Sequence, residues 1–409
     1  MAAFFRCFIH QIKKGFDEMN EKTSNLSLAL IWFGAGISIA EILTGAIIAP
    51  LGFSKGLTAI LLGHLIGFVL MFFTGLIGGS LGKSAMETTK MSFGQKGSVF
   101  FAGLNILQLA GWTAIMISNG AIAAFTIAPS ADIRLWSAAI GVLITLWLVT
   151  GIKNISKLNG VAMLALFITT IMLCFIVFTK DAPSAIRFSE TITFGAAVEL
   201  SVAMPLSWLP LISDYTRNAQ KPVSATLTSS IAYFFASCWM YVIGLGCALF
   251  AGNSDIAEIM LNSGLGTAGL VIVIFSTVTT TFLDAFSAGV SANSISSKLG
   301  EKAFAICIAV LGTLLAVFAP VSKTEGFLYI IGSVFAPMIA IQLVDFFILK
   351  NNSSEKSVNL LSLSMWGIGF VIYRFFMELD TPLGYTLPAM LIVGILYFIA
   401  GKMKQQTGK

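Results

Sequence analysis

The sequence predicts an all-α polytopic membrane protein of about twelve transmembrane helices, and three observations carry that expectation. The 409-residue chain is 57% hydrophobic and only 11% charged, with a mean hydropathy of +0.91, whereas soluble domains carry about 25% charged residues. Its apolar residues gather into runs of the roughly 20 residues that a helix needs to cross a bilayer core. The basic residues, finally, crowd onto alternate loops. A cytosolic enzyme is excluded, because no water-soluble fold could hide this much apolar surface.

Apolar runs of adequate length place spans 1 to 6 at 26–49, 56–79, 98–127, 135–151, 158–179 and 193–213. Spans 7 to 12 follow at 224–251, 265–290, 303–320, 326–349, 358–378 and 384–401. With that assignment, 18 of the 24 Lys and Arg residues fall on the side of the N-terminus. Five fall on the other side (Lys55, Arg134, Lys180, Arg187 and Lys323), and Arg374 sits near the outer end of span 11. The positive-inside rule then puts both termini in the cytoplasm of a multi-pass protein of the plasma (inner) membrane.

The net charge of +5 does not indicate a nucleic-acid partner, because no basic block could track a phosphate backbone. Cys7, Cys174, Cys238, Cys247 and Cys307 show no CxxC or metal-ligand spacing, and His10 and His64 are the only histidines. An embedded enzyme would need a nucleophile with its base or a metal, and neither is legible. Residues Met1 to Phe16 repeat Phe4, Phe8, Ile12 and Phe16 beside Arg6, Lys13 and Lys14. They read either as an interfacial helix on an anionic leaflet or as a frayed tail.

Two spans are interrupted. Span 1 reads Trp32-Phe33-Gly34-Ala35-Gly36-Ile37-Ser38-Ile39-Ala40-Glu41, and span 6 reads Val202-Ala203-Met204-Pro205-Leu206-Ser207-Trp208-Leu209-Pro210. Proline removes an amide donor and glycine admits unusual backbone angles. Breaks at the first and sixth spans have the offset of paired five-helix repeats, and such broken helices point to a transporter's binding site.

Glu41, Glu199 and Asp284 are the acidic residues deepest in the spans, and no basic residue sits at their depth. Intramembrane carboxylates are functional or paired. For Glu199 a water-reachable helix end is an equal reading, and Asp214 and Asp345 read as solvated helix ends. His64 in span 2 reads as a hydrogen-bonded packing residue. Span 8 contains Ser276-Thr277-Val278-Thr279-Thr280-Thr281. These hydroxyls are hard oxygen ligands suited to Na⁺ if they face the break in span 1; otherwise they bond one turn back. Trp112 in span 3 and Trp208 in span 6 lie too deep for an interface belt and offer planes for a heterocycle.

These residues resemble the nucleobase–cation symporter family of cytosine and hydantoin permeases, from about Asn25 to the last span. The likeness is most specific in Trp32–Glu41, in Gly111-Trp112 and in Ser213-Asp214-Tyr215-Thr216-Arg217. Within the family the Gly-Ile-Ser-Ile-Ala-Glu of span 1 is similar to the branch for hydroxymethylpyrimidine, the pyrimidine precursor of thiamine.

The resemblance implies a LeuT-type 5+5 inverted repeat. Residues 1–25 then form a tail, 26–349 the transport core and 350–409 two accessory spans with a second tail. By position, Trp112 matches the tryptophan that stacks on substrate, and Ser38 matches a polar contact. The backbone of Gly34, Ile37 and Thr277 with the hydroxyls of Thr280 and Thr281 would correspond to a Na⁺ site. No cofactor is implied beyond Na⁺ or H⁺ as coupling ion.

The chain departs from the family at Pro205, which takes the place of a second stacking tryptophan nearly one turn before Trp208. Met116 replaces a polar residue, and Asp284 stands where relatives often carry amides. The expected substrate-binding set is Trp112, Ser38, Glu41, Trp208 and Asp284, and the expected solute is a small planar aminopyrimidine. A cytosine permease and an amino-acid transporter of the same fold are the rival readings.

Overall fold

The structure, a computed structural model, describes residues 23–150, most of 167–179, 191–251, 258, 266–319 and 325–407. The N-terminal amphipathic stretch and half of span 5 lie outside the described residues. Among the described residues there is no strand, and the single β-bridge joins Thr23 to Ala219. Seven helices among the described residues are long and apolar enough to cross a membrane, or eight with the bent pair Asn25–Gly36 and Ile39–Leu51 counted as one span. Shorter apolar helices at Ile133–Val149, Phe194–Trp208 and Leu360–Phe376 correspond to spans 4, 6 and 11. Every expected span other than the fifth therefore has its helix, with ends close to those expected except that the span-3 helix starts at Ala85 and the span-12 helix runs on to Thr407.

Span 1 breaks where the glycines and serine stand. Its first helix ends at Gly36, and its second starts at Ile39 after a 50° bend. Ser38 is extended at φ −139°, and its hydroxyl accepts from the Glu41 amide at 3.3 Å, capping the second helix. Gly36 is required by proximity: a Cβ there would stand 2.7 Å from the Cβ of Ala236 in span 7. Span 1 thus lies backbone to backbone on span 7, the close packing that small residues permit in membranes.

Span 6 also breaks, but not at its first proline. The helix Phe194–Trp208 runs unbroken through Pro205, whose ring fills the space left by Gly67 of span 2. The interruption is the turn Leu209–Pro210–Leu211, after which a short helix, Ile212–Thr216, continues. Two buried span-3 amides serve carbonyls at this break, Asn105 donating to Pro210 at 3.2 Å and Gln108 to Ser207 at 3.3 Å. Irregular backbone survives in a bilayer only with such internal partners.

The loop expected before span 3 is instead helical. The helix Ala85–Ile127 opens on a capping box, with Ser84 and Glu87 satisfying each other's amides, and kinks at Gly94. There φ is +77°, a conformation that glycine alone adopts cheaply, and a Cβ would stand 2.7 Å from the Lys356 carbonyl.

Glu199, Asp214 and Asp345, read from the sequence as water-reachable or solvated helix ends, are buried and act as struts. Glu199 accepts from the Tyr373 and Thr386 hydroxyls at 2.7 and 2.6 Å. It also accepts from the Tyr385 and Thr386 amides at 2.6 and 2.8 Å, tying span 6 to the start of span 12. Asp214 accepts from the Ala85 amide at 2.8 Å. Asp345 accepts from the Tyr397 hydroxyl at 3.0 Å. Each lies where one element ends against another, so local sequence cannot reveal its partner.

Candidate binding site

The two breaks face one another across a cavity walled by spans 1, 3, 6 and 8. Its lining comprises Ala35, Ser38, Ala40 and Glu41 of span 1, Trp112 and Met116 of span 3, Met204, Ser207 and Trp208 of span 6, and Thr280 and Asp284 of span 8. All five expected substrate residues, Trp112, Ser38, Glu41, Trp208 and Asp284, meet here. The open space is only about 20 Å³, room for about one water. Seating a ring therefore requires side chains or the broken helices to move.

Glu41 is 1% exposed, and each of its oxygens has a donor. The Tyr233 hydroxyl donates to Oε1 at 2.8 Å and the Ser237 hydroxyl to Oε2 at 2.8 Å. Both donors come from span 7. Asp284 is 3% exposed and has no hydrogen bond to another described residue. Among the described residues no basic side chain lines the cavity, so its polar character is that of two carboxyls with hydroxyls beside them.

The aromatic wall is anchored from behind. The Trp208 indole donates to the Tyr233 hydroxyl at 3.0 Å, and its ring meets the buried Trp32 edge to face, with centroids 5.5 Å apart. Trp112 meets Phe327 of span 10 at 5.5 Å and 76°. Gly111 makes that contact possible, because a Cβ there would lie 2.6 Å from the Phe327 ring. The sequence reading missed Tyr233, Ser237 and Phe327. An ordinary tyrosine, serine and phenylalanine in apolar spans carry no signal of their own.

The expected cation residues share the same quarter. The Thr280 hydroxyl lies 3.4 Å from the Gly34 carbonyl, bridging span 8 to the break in span 1. The Ile37 amide donates to the carbonyls of Phe33 and Gly34 as the first helix ends. Thr281 is fully buried and its hydroxyl has no partner among the described residues. The Thr277 side chain packs on Gly120 of span 3, which leaves only its backbone for the expected role. A buried hydroxyl without a partner and a carbonyl at a helix break are oxygens that suit a hard cation.

Comparison with known proteins matches this chain to others. Residues 17–364 match the family described as permease for cytosine/purines, uracil, thiamine, allantoin. The cytosine permease of Escherichia coli K12 is 24% identical over 326 residues, covering 78% of this chain and 77% of that protein. Among solved structures, Mhp1, a nucleobase-cation-symport-1 family transporter in a closed conformation with bromovinylhydantoin bound, superposes with a TM-score of 0.79 at 18% identity. That match covers 95% of this chain and 94% of the other. A Na⁺-coupled sialic acid symporter superposes with a TM-score of 0.68 at 14% identity over 98% of this chain and 96% of its own. The fold is thus the LeuT-type arrangement that the paired breaks imply. With the family pattern covering most of its length, the chain belongs to the cytosine/purine, uracil, thiamine and allantoin permease family and is a membrane transporter, not an enzyme.

Proposed function

We propose that the chain imports a small planar aminopyrimidine, hydroxymethylpyrimidine above all, across the plasma membrane with Na⁺ as the coupling ion. The observation that carries this reading is the meeting of Trp112, Trp208, Glu41 and Asp284 around one cavity at the two helix breaks. The indole of Trp112 supplies a stacking face and Trp208 limits the opposite side. The exocyclic amine donates to a carboxyl. Asp284 has no competing donor among the described residues and is the open acceptor, whereas both Glu41 oxygens already share hydrogen bonds with hydroxyls. A buried acceptor discriminates against ring analogues that lack the amine, because it would be left unpaired.

Na⁺ would sit between spans 1 and 8, held by the backbone of Gly34, Ile37 and Thr277 and the hydroxyls of Thr280 and Thr281. The Thr280–Gly34 approach and the unpartnered Thr281 hydroxyl support it. A cation that bridges the two spans orders the wall that holds the solute, so cation and solute bind with positive linkage. Both termini face the cytoplasm, with 26–349 as the transport core and 350–409 as the accessory spans and tail.

The decisive experiment is uptake of radiolabelled hydroxymethylpyrimidine into cells expressing the chain, in sodium and in choline buffer, with cytosine as competitor. Sodium-dependent accumulation that resists excess cytosine supports the reading. Equal accumulation in both buffers removes Na⁺ coupling, and none in either removes the substrate. Cytosine is the second reading, favoured by the Escherichia coli relative; full displacement by cytosine at equal concentration would select it.

A further inference from the structure

Behind the cavity, one hydroxyl joins two titratable groups. The Ser237 Oγ of span 7 lies 2.8 Å from Glu41 Oε2 and 2.7 Å from His64 Nε2 of span 2. All three residues are buried. On its other side His64 Nδ1 lies 2.9 Å from the Ile60 carbonyl. A carbonyl only accepts, so Nδ1 carries a hydrogen, and a neutral ring then presents a bare lone pair at Nε2.

The hydrogen count is now constrained. Ser237 has a single hydrogen, while an ionised Glu41 and a bare Nε2 would both demand it. All the short contacts are hydrogen bonds only if the Glu41–His64 pair holds one additional proton. In one form Glu41 is the acid, donating from Oε2 to Ser237, and Ser237 donates to Nε2. In the other His64 is an imidazolium, donating from Nε2 to Ser237, and Ser237 donates to the Glu41 carboxylate. We propose that Glu41, Ser237 and His64 form a binding site for a single proton, built across spans 1, 7 and 2.

The two forms interconvert without a net change in charge. The Glu41 O–H bond breaks as its proton passes to Ser237 Oγ; the former Ser237 O–H bond breaks as that proton forms N–H at Nε2. Acid and imidazole become carboxylate and imidazolium. The surrounding groups permit either form. From span 7, Tyr233 donates to Oε1 in both, Cys238 lies beside Glu41, and Tyr241 packs its ring on His64 at 4.7 Å while its hydroxyl donates to Leu200. Asp284 of span 8 shares the cavity, and no cationic side chain lines it among the described residues. The Glu41 face of the wall is therefore neutral when the proton rests on Glu41 and carries a negative charge when it rests on His64, beside whatever charge Asp284 contributes. Resting on the aminopyrimidine reading, a solute whose amine donates into the cavity favours the anionic wall and draws the proton to His64.

The chain has two histidines, so a His10→Gln background leaves one imidazole to observe. The experiment is nitrogen-15 histidine spectroscopy of the full chain in liposomes, paired with infrared difference spectra against Glu41→Gln. The expected result is a protonated Nδ1 throughout, with the imidazolium fraction and the Glu41 acid fraction summing to a single proton per chain. Hydroxymethylpyrimidine should raise the imidazolium fraction, and Ser237→Ala should abolish that change. An unprotonated Nδ1, or an acid and an imidazolium together, or neither, would overturn the site. Because the ligand-free spectra decide it, failure of hydroxymethylpyrimidine to bind would sink the substrate reading alone.

Discussion

The Tyr233 hydroxyl donates to Glu41 Oε1 at 2.8 Å and accepts the Trp208 indole hydrogen at 3.0 Å. A single span-7 side chain thereby sets the orientation of a carboxylate on one broken helix and an aromatic wall on the other. If the cavity is the solute site, Tyr233→Phe leaves Trp208 without an acceptor and Glu41 with one donor fewer. The expected outcome is an apparent solute affinity lowered by roughly 10-fold, in line with about 1–1.5 kcal/mol for a buried hydrogen bond. Uptake kinetics on protein with unchanged surface expression provide the check, and an unchanged affinity would show that Tyr233 does not position the site.

Asp284 makes the complementary prediction. Its carboxyl faces the cavity without a hydrogen-bonding partner among the described residues, so Asp284→Asn disturbs little of the resting structure. Solute binding should nevertheless weaken by roughly 10-fold, because the amide oxygen still accepts from the amine but without the charge that makes such a bond about twice as strong. Competition binding with an aminopyrimidine and with an analogue lacking the amine separates the cases. The analogue should bind the variant and the parent alike.

Thr281 offers a test of the cation site that folding defects cannot mimic. Its hydroxyl is buried and unpartnered among the described residues, so Thr281→Val removes an unsatisfied polar group and should leave thermal stability equal or raised. If the hydroxyl coordinates Na⁺, the sodium concentration for half-maximal uptake rises roughly 10-fold all the same, the equivalent of about 1.4 kcal/mol. Thr280→Val should do likewise. Unaltered sodium dependence in both variants would remove these hydroxyls from the site.

Glu199 is expected to govern stability and not transport. Its Oε2 receives two backbone amides of the span-12 start, and its Oε1 receives two hydroxyls. A glutamine can turn its carbonyl toward the amides and its NH₂ toward the hydroxyls, so Glu199→Gln is mild. Glu199→Ala strands both amides, at about 1–3 kcal/mol for each buried donor left unpaired. Thermal unfolding in detergent should rank parent, Gln and Ala in that order, with solute affinity the same in all three.

Helix positions were legible because the bilayer imposes a length and a polarity on every span, and those constraints are written along the chain itself. The break in span 1 was legible for a related reason. Gly34, Gly36 and Ser38 lack the side chains that hold a helix together, and Ser38 is a good cap for the next one. Span 6 was only half legible. Pro205 looked like a breaker, yet it sits in an intact helix because Gly67, 138 positions earlier, makes room for its ring.

By itself, the sequence determined the membrane class, the span order, the two interruptions and the identity of the polar and aromatic residues deep in the spans. Each follows from local composition or from periodicity over one helix length. Only the tertiary structure decided what those residues do to one another. Glu41 became a doubly bonded carboxylate with His64 one hydroxyl behind it, Asp284 an open acceptor and Glu199 a strut. These differences come from donors in spans 2, 7, 11 and 12, brought near by packing across large sequence separations. The hydrogen-bonding capacity of a side chain is written in its residue type, but which partner uses it is set by which helices are neighbours.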